Sequence, residues 1–300
     1  MIGNRTLQNL YEAPLMLEKS GFSDVVCREL HIDAPKPELE DWKQMVERIQ
    51  NRSREVHIGL VGKYVKLHDA YLSVAEAMNH AGYELNTFVK IHWIDSENIR
   101  SDNVKEILEG LDGIIVPGGF GNRGIEGMIL SANYARENQI PYFGICLGMQ
   151  IAVIEFARNV LGLKCAHSGE FDEQCAHKVI DFMPGQSEEI DKGGTLRLGS
   201  YPCSIKAGTK MEQCYGNKLI HERHRHRYEF NNKYREELMR AGLVISGTSP
   251  DDRLVETVEL KEHPFFVGVQ FHPEFKSRPN QSHPLFKGFV SAALLKRNAD

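Results

Sequence analysis

No apolar run in this 300-residue chain approaches the ~20 residues needed to cross a bilayer as a helix. Charge of one sign is also scarce. The 36 basic and 41 acidic residues leave a formal charge of −5, which gives no footprint for nucleic acid or an anionic membrane. The six cysteines are scattered and lack the density of a disulfide-stapled secreted domain. The opening residues, "MIGNRTLQNLYEAPLMLEKSG", have no compact apolar h-region followed by a small-residue cleavage site. A Walker loop is missing too, because "GLVGKYV" has neither the spacing nor the hydroxyl of one. These absences predict a reduced, cytoplasmic protein, the compartment that a nucleophilic thiol needs. What remains is ordinary globular composition, 41% hydrophobic and 26% charged, with length enough for a large core and an appendage.

Residues 1–52 read differently from the rest. "LYEAPLMLEKSGFSDVVCREL" predicts a short helix and its neighbour, the Pro-rich "APKP" breaks the periodicity, and "ELEDWKQMVERIQ" resumes it as an amphipathic helix. This segment is expected to be a linker or tail, with a domain beginning near residue 53. From there strands ("HIGLVGKY", "NTFVKIHWID", "DGIIVPGG", "IPYFGI") alternate with helices ("AYLSVAEAMNHAG", "NVKEILEG", "GMILSANYARENQ", "MQIAVIEFARNVLG"). Buried apolar strands alternating with helices predict an α/β, doubly wound, mostly parallel sheet, which "GLVISGTS", "LVETVEL" and "FFVGVQF" complete or extend. Active residues in such sheets lie beyond the carboxyl ends of the strands.

Cys146 occupies such an end, in "PYFGICLGMQ", between Gly144 and Gly148. Gly-x-Cys-x-Gly between a strand and a helix is the thiol form of a nucleophile elbow, whose glycines let neighbouring chain pass without a Cβ clash. The dipole of the following helix favours thiolate over thiol, and the Leu147 N–H faces any oxyanion formed by attack. The alternative is a buried, inert cysteine in a Gly-rich turn. A nucleophile needs a base and the base an orienter. "VGVQFHPEF" provides both at a strand end: His272 and Glu274, two residues apart, project to the same side with Pro273 between them. Consecutive glycines in "VPGGFGNRG" offer a second source of oxyanion donors, although such a loop equally suits a phosphate.

"GICLGMQ" with a distant "FHPEF" resembles the triad, or class I, glutamine amidotransferases. "VGKYVKLHDAYLSVAEAMNHAG", "VPGGFGNRGIEGMI", "HSGEFDE", "GGTLRLG", "ERHRHRYEFN" and "LYEAPLMLEKSGF" are together similar to the C-terminal half of the CTP synthase family and the linker before it. The resemblance implies a flavodoxin-like glutaminase domain over 53–300 and, over 1–52, the linker or tail of a synthetase domain absent from this sequence. It implies hydrolysis of L-glutamine to glutamate and ammonia through a cysteine thioester, feeding ATP-dependent amination of UTP to CTP in the full-length enzyme. By the same resemblance Cys146, His272 and Glu274 are the catalytic triad, and Gly119, Leu147, Gly148, Met149 and Gln150 line the glutamine site. Glu170 then meets the α-amino group and Arg227 the α-carboxylate, as a zwitterion requires. GTP is implied as an allosteric activator of the hydrolysis, with Phe120 stacking on the base and Arg123 pairing with phosphate. No cofactor or metal is implied for glutamine hydrolysis itself; ATP and Mg2+ belong to the synthetase half, and the full-length enzyme is expected to be a homotetramer.

Two other readings stand beside this one. A stand-alone γ-glutamyl hydrolase would use the same elbow, and a silent regulatory module would retain the triad without turnover. The repeated Cys-Ala-His at 165–167 and 175–177 is spaced too tightly for a structural zinc loop. In "HERHRHRYEF" the interleaved arginines would repel a cation, so this stretch is expected to be an anion-facing loop.

Overall fold

The computed structural model describes residues 2–3, 5–182 and 197–299. The first four residues of "GGTLRLG" therefore lie outside the described residues. Helices α1 (Ala13–Lys19), α2 (Phe22–Leu30) and α3 (Glu40–Gln50) precede the first strand. The amphipathic α3 buries Met45, Val46 and Ile49 in a small satellite core with Tyr83, against which Tyr11, Leu15 and Trp42 pack. The segment before residue 53 is thus fastened to the body of the fold along α3.

The body alternates as its sequence predicts: β1 (Arg54–Gly62), α4 (Leu72–Glu84), β2 (Thr87–Asp95), α5 (Val104–Leu108), β3 (Gly113–Val116), α6 (Ile125–Glu137), β4 (Tyr142–Ile145) and α7 (Leu147–Asn159). The second half is richer in strands: β5 (Ala166–Ser168), β6 (His177–Phe182), β7 (Arg197–Ile205), α8 (Lys210–Tyr215), β8 (Leu219–His226), β9 (Tyr228–Phe230), α9 (Arg235–Arg240), β10 (Leu243–Thr248), β11 (Val255–Leu260), β12 (Phe266–Val269) and α10 (Pro284–Arg297).

Nine strands form one sheet in the order β2-β1-β3-β4-β12-β11-β10-β7-β8. The run from β2 to β12 is parallel, giving the expected doubly wound core. From β12 to β8 every pairing is antiparallel, so "GLVISGTS" and "LVETVEL" extend the sheet. β5, β6 and β9 make a second, three-stranded sheet.

Alternation along the parallel strands loads both faces of the sheet. Ile114, Val116, Tyr142 and Phe266 pack in one core with α6 and α7. Ile115, Phe143, Ile145, Val267 and Val269 pack in the other with α4 and α10. Each such side chain contributes about 1.5–3 kcal/mol on full burial. α7 is buried nearly all round, including Glu155, which a bidentate Arg136 from α6 meets at 2.9–3.1 Å. The helix behind Cys146 is thereby locked to its neighbour. No helix among the described residues is long and apolar enough to cross a membrane.

Candidate active site

Three adjacent parallel strands, β3, β4 and β12, end at one edge of the sheet, and their last residues build the site. β4 runs into α7 through Cys146, which adopts φ +52° and ψ −100°, a left-handed-side conformation that a side-chain-bearing residue rarely takes. The turn is tight enough to dictate both glycines. A Cβ on Gly144 would meet the Gly148 carbonyl oxygen at 2.4 Å, and one on Gly148 would meet the Val116 oxygen at 2.1 Å. The helix then opens with its own bonding, Met149 N and Gln150 N donating to Cys146 O at 3.1 and 3.2 Å. Leu147 and Gly148 carry first-turn amides of the kind that no intrahelical carbonyl can reach, and these suit an oxyanion.

His272 follows β12, and Glu274 sits on the 3₁₀ turn Pro273–Lys276 behind it. Glu274 Oε1 accepts from His272 Nδ1 at 2.7 Å, and both groups are largely buried. The backbone N–H of His272 donates to Arg223 O at 2.7 Å, tying this turn to β8. Gly118 marks how closely the base and the thiol approach. A Cβ there would lie 2.9 Å from His272 Cε1 and 3.6 Å from Cys146 Cβ. Burial alone would push the imidazolium to lose its proton. The Cys146 charge and hydrogen bond outweigh that, Glu274 adds to them, and His272 is pushed up to about 10.

Two cavities of about 260 Å³ flank Cys146. The first is lined by Gly119, Phe120, Cys146, Gln150, Glu170, His226, Arg227 and Tyr228. Glu170 Oε1 accepts from Gly121 N at 3.0 Å, joining the second sheet's loop to the glycine loop after β3. Arg227 lies between β8 and β9 with a buried Nε that has no hydrogen-bond partner among the described residues. Gln150 is almost fully buried, and its amide donates to Tyr228 O at 3.1 Å. The second cavity is lined on its far side by Tyr64, Tyr71, Arg225, His272, Glu274 and Phe275, and it shares Gly119, Phe120 and Cys146 with the first.

Cys146, His272, Glu274, Gly119, Gln150, Glu170 and Arg227 are thus brought together. Leu147 and Met149 belong by their backbone only. The Leu147 side chain is buried in the core, and Met149 packs behind the turn, where its Cα, Cβ and Cγ lie 3.0–3.1 Å from where a Cβ on Gly268 would stand. Phe120 is half exposed at the shared wall of the cavities. Arg123 is already engaged, with Glu97 at 2.8 Å and the Lys63 carbonyl at 2.9 Å. Lys63, beneath the glycine loop, donates to Phe120 O at 3.0 Å, and burial lowers it to about 8 against the attraction of Glu170.

"HERHRHRYEF" corrects its expectation. It is a strand, β8, followed by β9, and its burial alternates strictly. Glu222, His224 and His226 face inward, while His221, Arg223 and Arg225 face out. His224 and His226 therefore belong to the interior. His226 lines the first cavity and shares a 2.9 Å hydrogen bond with His224. Burial and the charge of Arg197 hold His226 down at about 3, while burial and His226 hold His224 at about 2. Sequence reasoning missed His226, Tyr228, Gly118 and Gln270 as site residues. The period-two alternation of β8 was the available signal for the first.

The family "Glutamine amidotransferase class-I" matches residues 66–292. A "CTP synthase" of Listeria innocua is 58% identical over 294 residues, 98% of this chain and 55% of that protein. The "CTP synthase" of Bacillus subtilis is 54% identical over 290 residues, 97% of this chain and 54% of that protein. The chain therefore spans about half the length of the curated relatives it matches. A solved structure described as "Trypanosoma brucei CTPS - glutaminase domain with bound acivicin" superposes with a TM-score of 0.76 at 41% identity, over 80% of this chain and 94% of that one. The family match over residues 66–292 takes in Cys146, His272 and Glu274, and the chain belongs to the class-I glutamine amidotransferase family.

Proposed function

We propose that this chain hydrolyses L-glutamine to L-glutamate and ammonia, as the glutaminase part of a CTP synthase. The observation that carries the reading is the strained Cys146 elbow, with the His272–Glu274 pair on one side and a cavity bearing Glu170 and Arg227 on the other. A carboxylate and a guanidinium are what the zwitterionic end of an amino acid requires, and Arg227 Nε is a buried donor with no partner among the described residues.

In this mechanism the Cys146 thiolate attacks the γ-carbonyl, and the oxyanion rests on the amides of Gly119, Leu147 and Gly148. His272, protonated at neutral pH, gives its proton to the departing ammonia. The γ-glutamyl thioester left on Cys146 is resolved by a water that His272 deprotonates. Gln150 has both amide hydrogens engaged within the protein, so it offers its carbonyl oxygen to the substrate. Ammonia is released on the His272 side, toward the second cavity.

In the longer protein the ammonia would aminate UTP in an ATP- and Mg2+-dependent synthetase half, in the cytoplasm, within a homotetramer. Residues 1–52 would be the linker and 53–300 the glutaminase unit. GTP would activate hydrolysis from the wall where Phe120 is exposed. Arg123 could reach phosphate only by leaving Glu97.

Acid-quenched mass analysis after mixing with glutamine tests the mechanism. A γ-glutamyl adduct on Cys146 is expected, and Cys146→Ala should abolish hydrolysis. No adduct, together with full activity in Cys146→Ala, would overturn it.

A further inference from the structure

Gln270 is fully buried directly after β12, two residues before His272. Its backbone N–H donates to Glu256 O at 2.8 Å, which continues the β11–β12 pairing past the formal end of the strand. In such an extended run residues two apart point the same way, so the strand end that delivers the base also delivers the Gln270 amide. Its Nε2 lies 3.6 Å from Cys146 Sγ.

The orientation of this amide follows from its neighbours. The Tyr228 carbonyl can only accept, so Gln150 must present its NH2 group there, at 3.1 Å. The same Gln150 nitrogen is 3.4 Å from Gln270 Oε1, which makes that atom the acceptor. The NH2 of Gln270 is then the end that faces sulfur. Two side-chain amides thus relay the direction of one backbone carbonyl to the nucleophile.

We propose that Gln270 donates a hydrogen bond to the Cys146 thiolate, stabilising it and holding Sγ in the attacking rotamer. The assignment rests on Cys146 being the nucleophile. Donation to a charged acceptor is stronger than donation to a neutral one, so the bond favours thiolate over thiol. A residue that merely filled the core would leave the titration of the thiol unchanged.

The test uses the whole 300-residue chain, with iodoacetamide as the thiol probe. Gln270→Met keeps the bulk and removes the donor. The pH midpoint of Cys146 alkylation should rise by about one unit, and kcat for glutamine should fall about tenfold with little change in KM. Gln270→Glu, which places an acceptor against the sulfur, should shift the midpoint further. An unshifted midpoint in folded Gln270→Met overturns the proposal. Should neither variant fold, the unmutated protein still decides. The side-chain amide proton resonances of Gln270 should move as the thiol titrates, and resonances that do not move refute the bond. Failure of Cys146 to alkylate selectively, with activity retained in Cys146→Ala, would instead refute the underlying reading of the nucleophile.

Discussion

Replacing Glu274 by glutamine keeps the shape of the side chain and removes its charge, and the structure shows why neither orientation of the new amide would serve. With its carbonyl toward His272 Nδ1 the 2.7 Å hydrogen bond survives, but the NH2 takes the place of Oε2. That atom is buried without a hydrogen-bond partner among the described residues. A stranded donor there costs about 1–3 kcal/mol. With the NH2 toward Nδ1 instead, the ring must carry its proton on Nε2, facing the sulfur, and can no longer accept one. A wrong tautomer of this kind lowered kcat about 10⁴-fold in a serine protease triad. Because the first orientation is penalised, the second competes with it. The expected fall in kcat is therefore at least about tenfold and extends toward 10⁴-fold. KM should hold, since Glu274 does not line the first cavity. His272 should still titrate above an ordinary histidine, because Cys146 raises it more than Glu274 does. Steady-state kinetics with glutamine and an NMR titration of the His272 ring check both points. Wild-type kcat in Glu274→Gln would refute the orienting role, and a His272 that titrates as an ordinary histidine would refute the dominance of the thiolate.

Gly148→Ala forces a Cβ to within 2.1 Å of a backbone oxygen that cannot step aside. Thermal melts should show a loss at or above the ~1–3 kcal/mol usual for overpacking, with activity lost as the elbow opens. Arg227→Ala removes the guanidinium from the cavity, and KM for glutamine should rise about tenfold or more, with kcat falling less. Burial and the neighbouring Glu256, opposed by Arg197, raise Glu229 to about 8. Burial, also opposed by Arg197, raises Glu256 to about 7. Carboxyls raised above their unfolded value of about 4.5 contribute stability that is fully present below that pH and lost as pH climbs through 7 and 8. Melting temperature should accordingly fall between pH 5 and 8.5, and Glu229→Gln should flatten that fall. A variant with the same slope would show that the carboxyl does not titrate in this window.

Much of this arrangement was legible because backbone geometry left its mark in residue type. The elbow required glycine at 144 and 148, and the clashes at those positions are with backbone, which leaves no substitute. The parallel core was legible because its strands are apolar on both faces and its helices fall between them. That "GLVISGTS" and "LVETVEL" extend the sheet was legible too, but the antiparallel pairing of β7 with β10 and β8 was not, because such pairings depend on chain far away in sequence. β8 escaped for a different reason. Its inward residues are Ile220, Glu222, His224 and His226, so a search for apolar alternation passes over a strand whose buried face is mostly polar. Gln270 lies within "VGVQFHPEF", two residues before the base. The rule that paired His272 with Glu274 applied equally to Gln270 and His272.

That polar interior has a consequence for the thiol. Three histidines cluster behind Cys146, yet they are held in opposite states, with His272 at about 10 and His226 and His224 at about 3 and 2. Burial acts on all three in the same direction, so the difference comes from charge. His272 is held up by its interactions with Cys146 and Glu274, whereas His226 feels the Arg197 guanidinium. Arg197 is in turn balanced by Glu256 at 2.5 Å. The electrostatic coupling between His226 and His272 is repulsive whenever both are charged. A protonated His226 would lower the proton affinity of His272. Burial first, with the Arg197 charge adding to it, keeps the inner histidines neutral, so neither sets a like charge against His272.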